Sequence, residues 1–381
     1  MTFWQPRKLS EVCVIDKQQG NHIGLPYVGM EHIESGTGRF IGDLAPVEVK
    51  STTFKFSSDH VLYGRLRPYL NKVMVPDFEA GHCSTEIFPL RPVKEQLCKK
   101  FLFYWLTMQS TVDHINRTCT GARMPRANMN EVLTFTISVP PLPEQQRIVT
   151  LLDESFEGIE AATAKAEQNL KNARGLFDSY LNSLCRNHSG EGKITTLGEV
   201  CDLYQGLAIN SKTKHLLDEN GSIPLLRIKD LRNGTSEQFV KNEGWPSNAY
   251  IEPNDLVYTR TGQIGLVFKG REGVLHNNAF KVSPRSELSP EYLYWWLQHT
   301  DFKDLIISLA SRAAQPDITH KLFKEQKIFL PTINAQLSAA EKLDLLNEEV
   351  SQLATIYQQK LSALSELKQS ILQKAFAGEL H

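Results

Sequence analysis

The chain has 381 residues, 41% apolar and 22% charged, with a net charge of −1. That is the composition of a soluble globular protein long enough for two or more domains, and no apolar run nears the roughly 20 residues needed to span a bilayer. The N-terminal MTFWQPRKLSE lacks a signal-peptide core, so a cytoplasmic location is expected, with no membrane partner.

In that compartment the six scattered cysteines (Cys13, Cys83, Cys98, Cys119, Cys185, Cys201) are expected to be reduced thiols. They form no Cys-x-x-Cys pair, and His82 beside Cys83 has no second cluster at ligand spacing. No metal site is expected.

Taken in chain order, the predicted elements are written twice. KLSEVCVI (8–15) matches TLGEVCDL (196–203), and PYVGMEHIESG (26–36) matches PLLRIKDLRNG (224–234). DHVLYGRLRP (59–68) corresponds to NDLVYTRTGQ (254–263), which sets Tyr63 and Arg65 opposite Tyr258 and Arg260. The aromatic block FLFYWL (101–106) returns as YLYWWL (292–297), and GARMPRANMN (121–130) lies opposite SRAAQPDITH (311–320). This is an internal duplication of a whole unit, since the period is far too long for a solenoid.

Within a unit, short β-branched strands such as KVMVPDF, HVLYGRL, DLVYTRTG and IGLVFKG alternate with Gly/Asn/Asp turns. The aromatic block reads as a helix over 100–109 and 290–298. Its apolar residues at helical spacing predict a core element, not a base-stacking platform.

Each unit then enters a proline-free segment, after Pro143 to about Arg186 and from Asn334 to about Phe376. Pro143 and Glu144 suit a first helical turn. Leu346, Val350, Leu353, Tyr357, Leu364, Leu367 and Ile371 follow steps of four and three in the second helix. Ile148, Leu152, Ile159, Ala162, Ala166, Leu170, Ala173, Phe177, Tyr180 and Leu184 line the first. Such stripes predict a coiled-coil seam. The two helices are each other's obvious partners; folding back on the nearer domain, or zipping to another protein, are the alternatives.

Charge follows this division weakly. Residues 1–142 carry 16 basic and 13 acidic side chains and 196–331 carry 16 of each, whereas the remaining segments hold 10 against 14. A polyanion would therefore meet the globular parts.

Catalytic signatures are scarce: there is no phosphate loop, nucleophile elbow or dinucleotide fingerprint. VPPLPE (139–144) lacks the polar lead and the aromatic of an amino-methyltransferase loop. A Mg²⁺-dependent nuclease could use Asp317, Glu325 and Lys327. The other copy, however, has Arg126, Thr134 and Thr136 in those places. A non-DNA coiled-coil scaffold is the third reading.

What recurs in both copies is a pair of polar loops. YGRLRPYLNK (63–72) and YTRTGQIG (258–265) put arginines beside Gly64 or Gly262, and TGARMPRAN (120–128) and SRAAQPD (311–317) are stiffened by proline. Arginine, asparagine, glutamine and threonine are the side chains that read base edges in the major groove. The candidate DNA contacts are Arg65, Arg67, Lys72, Arg123, Arg126 and Asn128 in the first copy. In the second they are Arg227, Lys229, Arg260, Thr261, Gln263, Lys269, Arg312 and Gln315.

TGARMPRANMNEVLTFTISVPPLPEQQRI (120–148), its weaker echo through IFLPTINAQ (328–336), and ELKQSILQKAFAGEL (366–380) resemble the specificity subunit of type I restriction–modification enzymes. The echo departs at Thr332, Asn334 and Ala335, where the first copy has Pro141, Pro143 and Glu144. The resemblance covers essentially the whole chain. It implies an α+β fold: two similar α/β target-recognition domains (1–142 and 190–333) alternating with two long helices (143–189 and 334–381) that pair as an antiparallel coiled coil.

It also implies a non-catalytic subunit that reads an asymmetric bipartite DNA target, the helix pair setting a spacer of about one turn of DNA between half-site centres. The implied partners are double-stranded DNA, two methyltransferase subunits using S-adenosylmethionine to modify adenine, and restriction/motor subunits using ATP and Mg²⁺. The chain itself would hold no cofactor. Near-neutral charge then implies weak DNA binding alone, with phosphate grip supplied by the methyltransferases.

Overall fold

In the computed structural model, which describes residues 4–186, 191–311 and 316–380, the duplication is visible strand by strand. Gln5–Lys8 pairs antiparallel with Thr136–Val139, and Gly192–Thr196 does the same with Lys327–Pro331. Next comes a four-stranded antiparallel sheet. Its order is Cys13–Ile15, Ile87–Pro92, Val61–Gly64, Val73–Met74 in the first copy and Cys201–Gln205, Ala279–Pro284, Leu256–Thr259, Val267–Lys269 in the second.

A third sheet shares three strands: Tyr27–Val28 parallel to Ala80–Ser84 beside Thr53–Ser57, matched by Ile223–Leu226 parallel to Gly273–Leu275 beside Tyr250–Ile251. The copies diverge at its edge. The first adds Gln18–Gly20 against Thr53–Ser57, and the second adds Phe239–Val240 against Ile223–Leu226. The fold is the expected mixed helix-and-sheet duplication.

The aromatic blocks form helices Lys99–Thr107 and Pro290–Trp296. Phe101, Leu102 and Leu106 are wholly buried, as are Leu293 and Leu297; Tyr104, Trp105, Tyr292, Trp295 and Trp296 are nearly so, and Phe103 and Tyr294 are half-buried. These blocks are core.

The chain divides into two compact units, Met1–Glu167 with Gln359–His381, and Gln168–Gln358. Each unit therefore combines one globular region with parts of both long helices, Leu142–Arg186 and Ile333–Ala377. In the first unit Ile148, Leu152, Phe156 and Ile159 share a core with Leu372 and Ala375. Lys368 lays its ammonium 4.9 Å from the centre of the Phe156 ring, and Arg147 Nη2 donates to the Leu380 carbonyl at 2.8 Å. In the second unit Leu181 and Cys185 share a core with Ala340 and Leu343. The start of one helix meets the end of the other in both units, so the pairing is antiparallel. No described helix is long and apolar enough to cross a membrane.

The seam differs from expectation. Leu353, Leu367 and Tyr180 are 43%, 48% and 39% exposed. The covered line on the C-terminal helix runs instead through Leu346, Val350, Ala354, Tyr357, Leu361, Leu364, Lys368, Leu372 and Ala375. Its steps average about 3.6 residues, the undistorted α-helical period, whereas a strict heptad assumes 3.5 and drifts off the face. Leu181 takes the buried place expected of Tyr180. The C-terminal helix ends at Gly378, left-handed at φ 74°, where the Gly378 and Glu379 amides donate to the Ala375 and Lys374 carbonyls. That closes the last turn.

One buried side chain fastens each helix start to its domain. Gln145 is fully buried: its Oε1 accepts from the Cys98 amide at 2.8 Å, and its Nε2 donates to the Gln96 and Pro140 carbonyls, both at 2.8 Å. Gln336 repeats this with the Ser289 amide at 2.8 Å and the Glu287 and Pro331 carbonyls at 3.0 and 2.8 Å. The proline departures before the second helix do not disturb its start, because this glutamine fixes it. About two turns further on, Asp153 accepts from Tyr104 Oη at 2.5 Å and Asp344 accepts from Trp295 Nε1 at 2.9 Å.

A glutamine-to-alanine change would leave buried backbone groups unpaired, at about 1–3 kcal/mol each. Gln145→Ala and Gln336→Ala should each lower the urea midpoint of unfolding. Leu343→Ala should cost about 2–5 kcal/mol, and Leu353→Ala no more than about 0.5 kcal/mol. Equal losses at 343 and 353 would contradict the observed seam.

Candidate nucleic-acid interface

In the first unit, strand Val61–Gly64 runs into the loop that ends in the short 3-10 turn Pro68–Leu70. A second loop connects helix Gln109–Arg117 to helix Met129–Val132. Backbone hydrogen bonds tie the two loops together: the Arg67 amide to the Pro125 carbonyl at 2.7 Å and the Ala127 amide to the Arg65 carbonyl at 2.9 Å. Thr120 and Arg126 exchange amide–carbonyl bonds at 3.1 and 3.0 Å, closing the second loop on itself.

Two candidate arginines serve this framework. Strand register pairs Gly64 with Ile87, which brings Glu86 beside Arg65. Arg65 Nε lies 3.1 Å from Glu86 Oε2, with its guanidinium 5.0 Å from the Phe88 ring centre. Arg126 Nε and Nη2 reach Glu86 Oε1 at 2.9 and 2.8 Å. Partial burial works to raise the Glu86 carboxyl, but hydrogen bonds and charge from Arg126 and Arg65 outweigh it, leaving the pKa below the usual glutamate range.

The other candidates divide. Lys72 Nζ donates to the Met30 carbonyl at 2.6 Å, which holds it within the unit. Asn128 precedes the helix Met129–Val132, its amide bonded to Thr118 Oγ1 at 3.1 Å and its Nδ2 3.5 Å from Glu131. Arg67 and Arg123 are exposed, and neither side chain has a protein partner among the described residues.

The second unit repeats the brace with different chemistry. Arg260 Nε donates to Asp317 Oδ1 at 2.8 Å with a second bond from Nη2 to Oδ2, and Nη1 reaches Gln205 Oε1 at 3.1 Å. The Ile318 amide bonds the Arg260 carbonyl at 3.1 Å, the counterpart of Ala127 to Arg65. The Arg260 and Thr261 amides both donate to the Asn278 carbonyl, at 2.8 and 3.3 Å. Gln263 is exposed and accepts from Arg232, a cation the sequence reading passed over.

Arg227 is held by the buried Asp230 at 2.9 Å and by Glu237 at 3.0 Å, and Lys229 pairs with Glu237. Lys269 is exposed, its ammonium 5.0 Å from the Tyr294 ring centre. Arg312 and Gln315 lie outside the described residues.

The nuclease alternative gains no support. Asp317 faces the Arg260 guanidinium, Glu325 lies 3.8 Å from Lys321, and Lys327 is exposed on strand Lys327–Pro331. Among the described residues no group of three or more His, Cys, Asp or Glu is placed to hold a metal ion.

Because the folded pKa of Glu86 is depressed, its stabilising charge is present above the ordinary glutamate pKa and is lost only as pH falls through the lower folded value. Hydrogen exchange at the Arg67 and Ala127 amides should therefore accelerate, beyond its intrinsic pH dependence, only in that acid range. In Glu86→Gln it should already be fast at neutral pH. Unchanged exchange in that variant would show that the loops do not depend on the brace.

Comparison with known proteins agrees with this architecture. The family model for the type I restriction modification DNA specificity domain matches twice, at residues 1–172 and 191–361. The EcoDI specificity subunit of Escherichia coli is 26% identical over 183 residues, 47% of this chain and 40% of that one. The EcoKI specificity subunit of Escherichia coli K12 is 25% identical over 316 residues, 74% of this chain and 67% of that one. The chain thus spans less than half the length of the first relative and about two thirds of the second. A chain solved in a study of complex assembly and conformational transition of the type I R-M system shares the fold, with a TM-score of 0.84 at 22% identity over 99% of this chain and 98% of that one. With both halves matched, the chain belongs to the type I restriction–modification DNA specificity family.

Proposed function

We propose that this chain is the DNA-reading subunit of a type I restriction–modification complex. One observation carries the reading: equivalent loops in the two units are braced by equivalent arginines, Arg65 on Glu86 and Arg260 on Asp317, yet expose different side chains. A shared scaffold with unlike tips suits two unlike half-sites read in the major groove. The paired helices, 45 residues each, set the unspecified gap between the half-sites.

The chain catalyses nothing itself in this reading. Methyltransferase subunits carrying S-adenosylmethionine modify adenine, and restriction/motor subunits supply ATP- and Mg²⁺-dependent cleavage. The assembly works in the cytoplasm. With most candidate arginines paired to carboxylates and a net charge of −1, the isolated chain should bind DNA weakly and gain phosphate grip from its partners.

A methylome of cells expressing the chain with its methyltransferase should contain two unlike short half-sites at a fixed separation. A palindrome, or no motif, would overturn the reading. For the purified complex, raising salt should weaken overall binding steeply while preference for that motif persists.

A further inference from the structure

The first unit bends its backbone to display an aromatic ring. Arg67 and Asn71 both hold left-handed backbone, at φ 51° and 48°, on either side of the turn Pro68–Leu70. Asparagine tolerates that region, but arginine seldom adopts it, and such conformations persist only where the surroundings impose them. Here the Arg67 amide is held by the Pro125 carbonyl at 2.7 Å, and Asn71 Nδ2 by the Thr107 carbonyl at 3.0 Å. Pro68 between them is buried. The residue so displayed is Tyr69, 55% exposed.

Met124, next in sequence to the Pro125 that anchors Arg67, is 45% exposed. Each of two hydrogen-bonded loops thus carries a large exposed apolar side chain close in sequence to an exposed arginine, Tyr69 two residues after Arg67 and Met124 next to Arg123, and neither arginine has a side-chain partner among the described residues. Among its described residues the second unit shows no exposed aromatic ring at the equivalent turn. Opposite Tyr69 the second unit has Ile264, partly buried against that unit's own core, and the loop before it carries Gly262, left-handed at φ 73°, between the polar Thr261 and Gln263.

We propose that Tyr69 and Met124 are specificity-determining residues that pack on a thymine C5-methyl group in the half-site read by the first unit, with Arg67 and Arg123 on the flanking phosphates. The proposal rests on the DNA-reading function above. The thymine methyl is the one apolar group on the major-groove edge, and apolar side chains are its natural contacts. Unpaired cations beside the apolar tip favour a polyanion over an apolar protein surface as the occupant.

The test uses the full chain co-expressed with its methyltransferase, and duplexes bearing the motif found by methylome sequencing. Each thymine of the motif is replaced in turn by deoxyuridine, which removes only the methyl. At one position in one half-site the wild type should lose about fourfold in affinity, the worth of one buried methyl. Tyr69→Ala and Met124→Ala should bind the thymine duplex more weakly and no longer distinguish it from the uracil duplex, while Tyr69→Phe keeps the distinction. Both side chains are exposed, so melting temperatures should not change.

A wild type indifferent to every replacement, or alanine variants that keep the wild-type preference, would overturn the assignment and leave the DNA-reading function standing. Variants that bind DNA normally but lose the methyltransferase would also overturn it, marking the tip as protein-facing. A wild type with no motif preference would bring down the function and the assignment together.

Discussion

A 45-residue helix with one narrow apolar stripe cannot persist in water until that stripe is covered, and the rest of this structure follows from how it is covered. Each globular core is completed by the start of one long helix and the end of the other. Phe101 packs on Phe376 with ring centres 4.6 Å apart, and Phe177 on Trp295 at 5.4 Å. Gln145 and Gln336 then replace what would be an ordinary helix cap with a buried three-way clamp to the preceding chain. Within each unit a reading surface is thereby fixed to helix rather than tethered by a loop.

Charge is used with the same economy. Glu86 and Asp317 take up arginines that a composition argument assigns to DNA, so those cations set the shape of loops instead of supplying grip. Arg67 and Arg123 remain without side-chain partners among the described residues. In the proposed reading such a surface would discriminate by shape and a few contacts, which reconciles the absence of a net basic excess with membership of a DNA specificity family.

Much of the fold was legible because the duplication supplied an internal control. The aromatic helices and both long helices fall within a residue or two of where pattern placed them, whereas the strands are shorter than their patterns: KVMVPDF is a strand only at Val73–Met74 and IGLVFKG only at Val267–Lys269. The helix seam was legible only in part: a heptad reading selects Leu353 and Leu367, whereas a straight helix brings Ala354 and Lys368 to the partner. The bracing carboxylates were hidden for a different reason. Glu86 is 21 residues from Arg65, and only the register of Gly64 against Ile87 brings them together. Asp317 looked like a metal ligand in sequence for want of that information. The divergent edge strands, Gln18–Gly20 and Phe239–Val240, carry no periodic signal at two or three residues' length.

If the paired helices set the distance between two independent readers, length and letters must be separable. Seven residues, two helical turns, added to both helices at mid-length should keep their faces close to phase. The methylated motif should then retain both half-sites while the gap between them grows by about 3 base pairs, from 1.5 Å per helical residue and 3.4 Å per base pair. A motif whose letters change while its gap stays fixed would contradict the account.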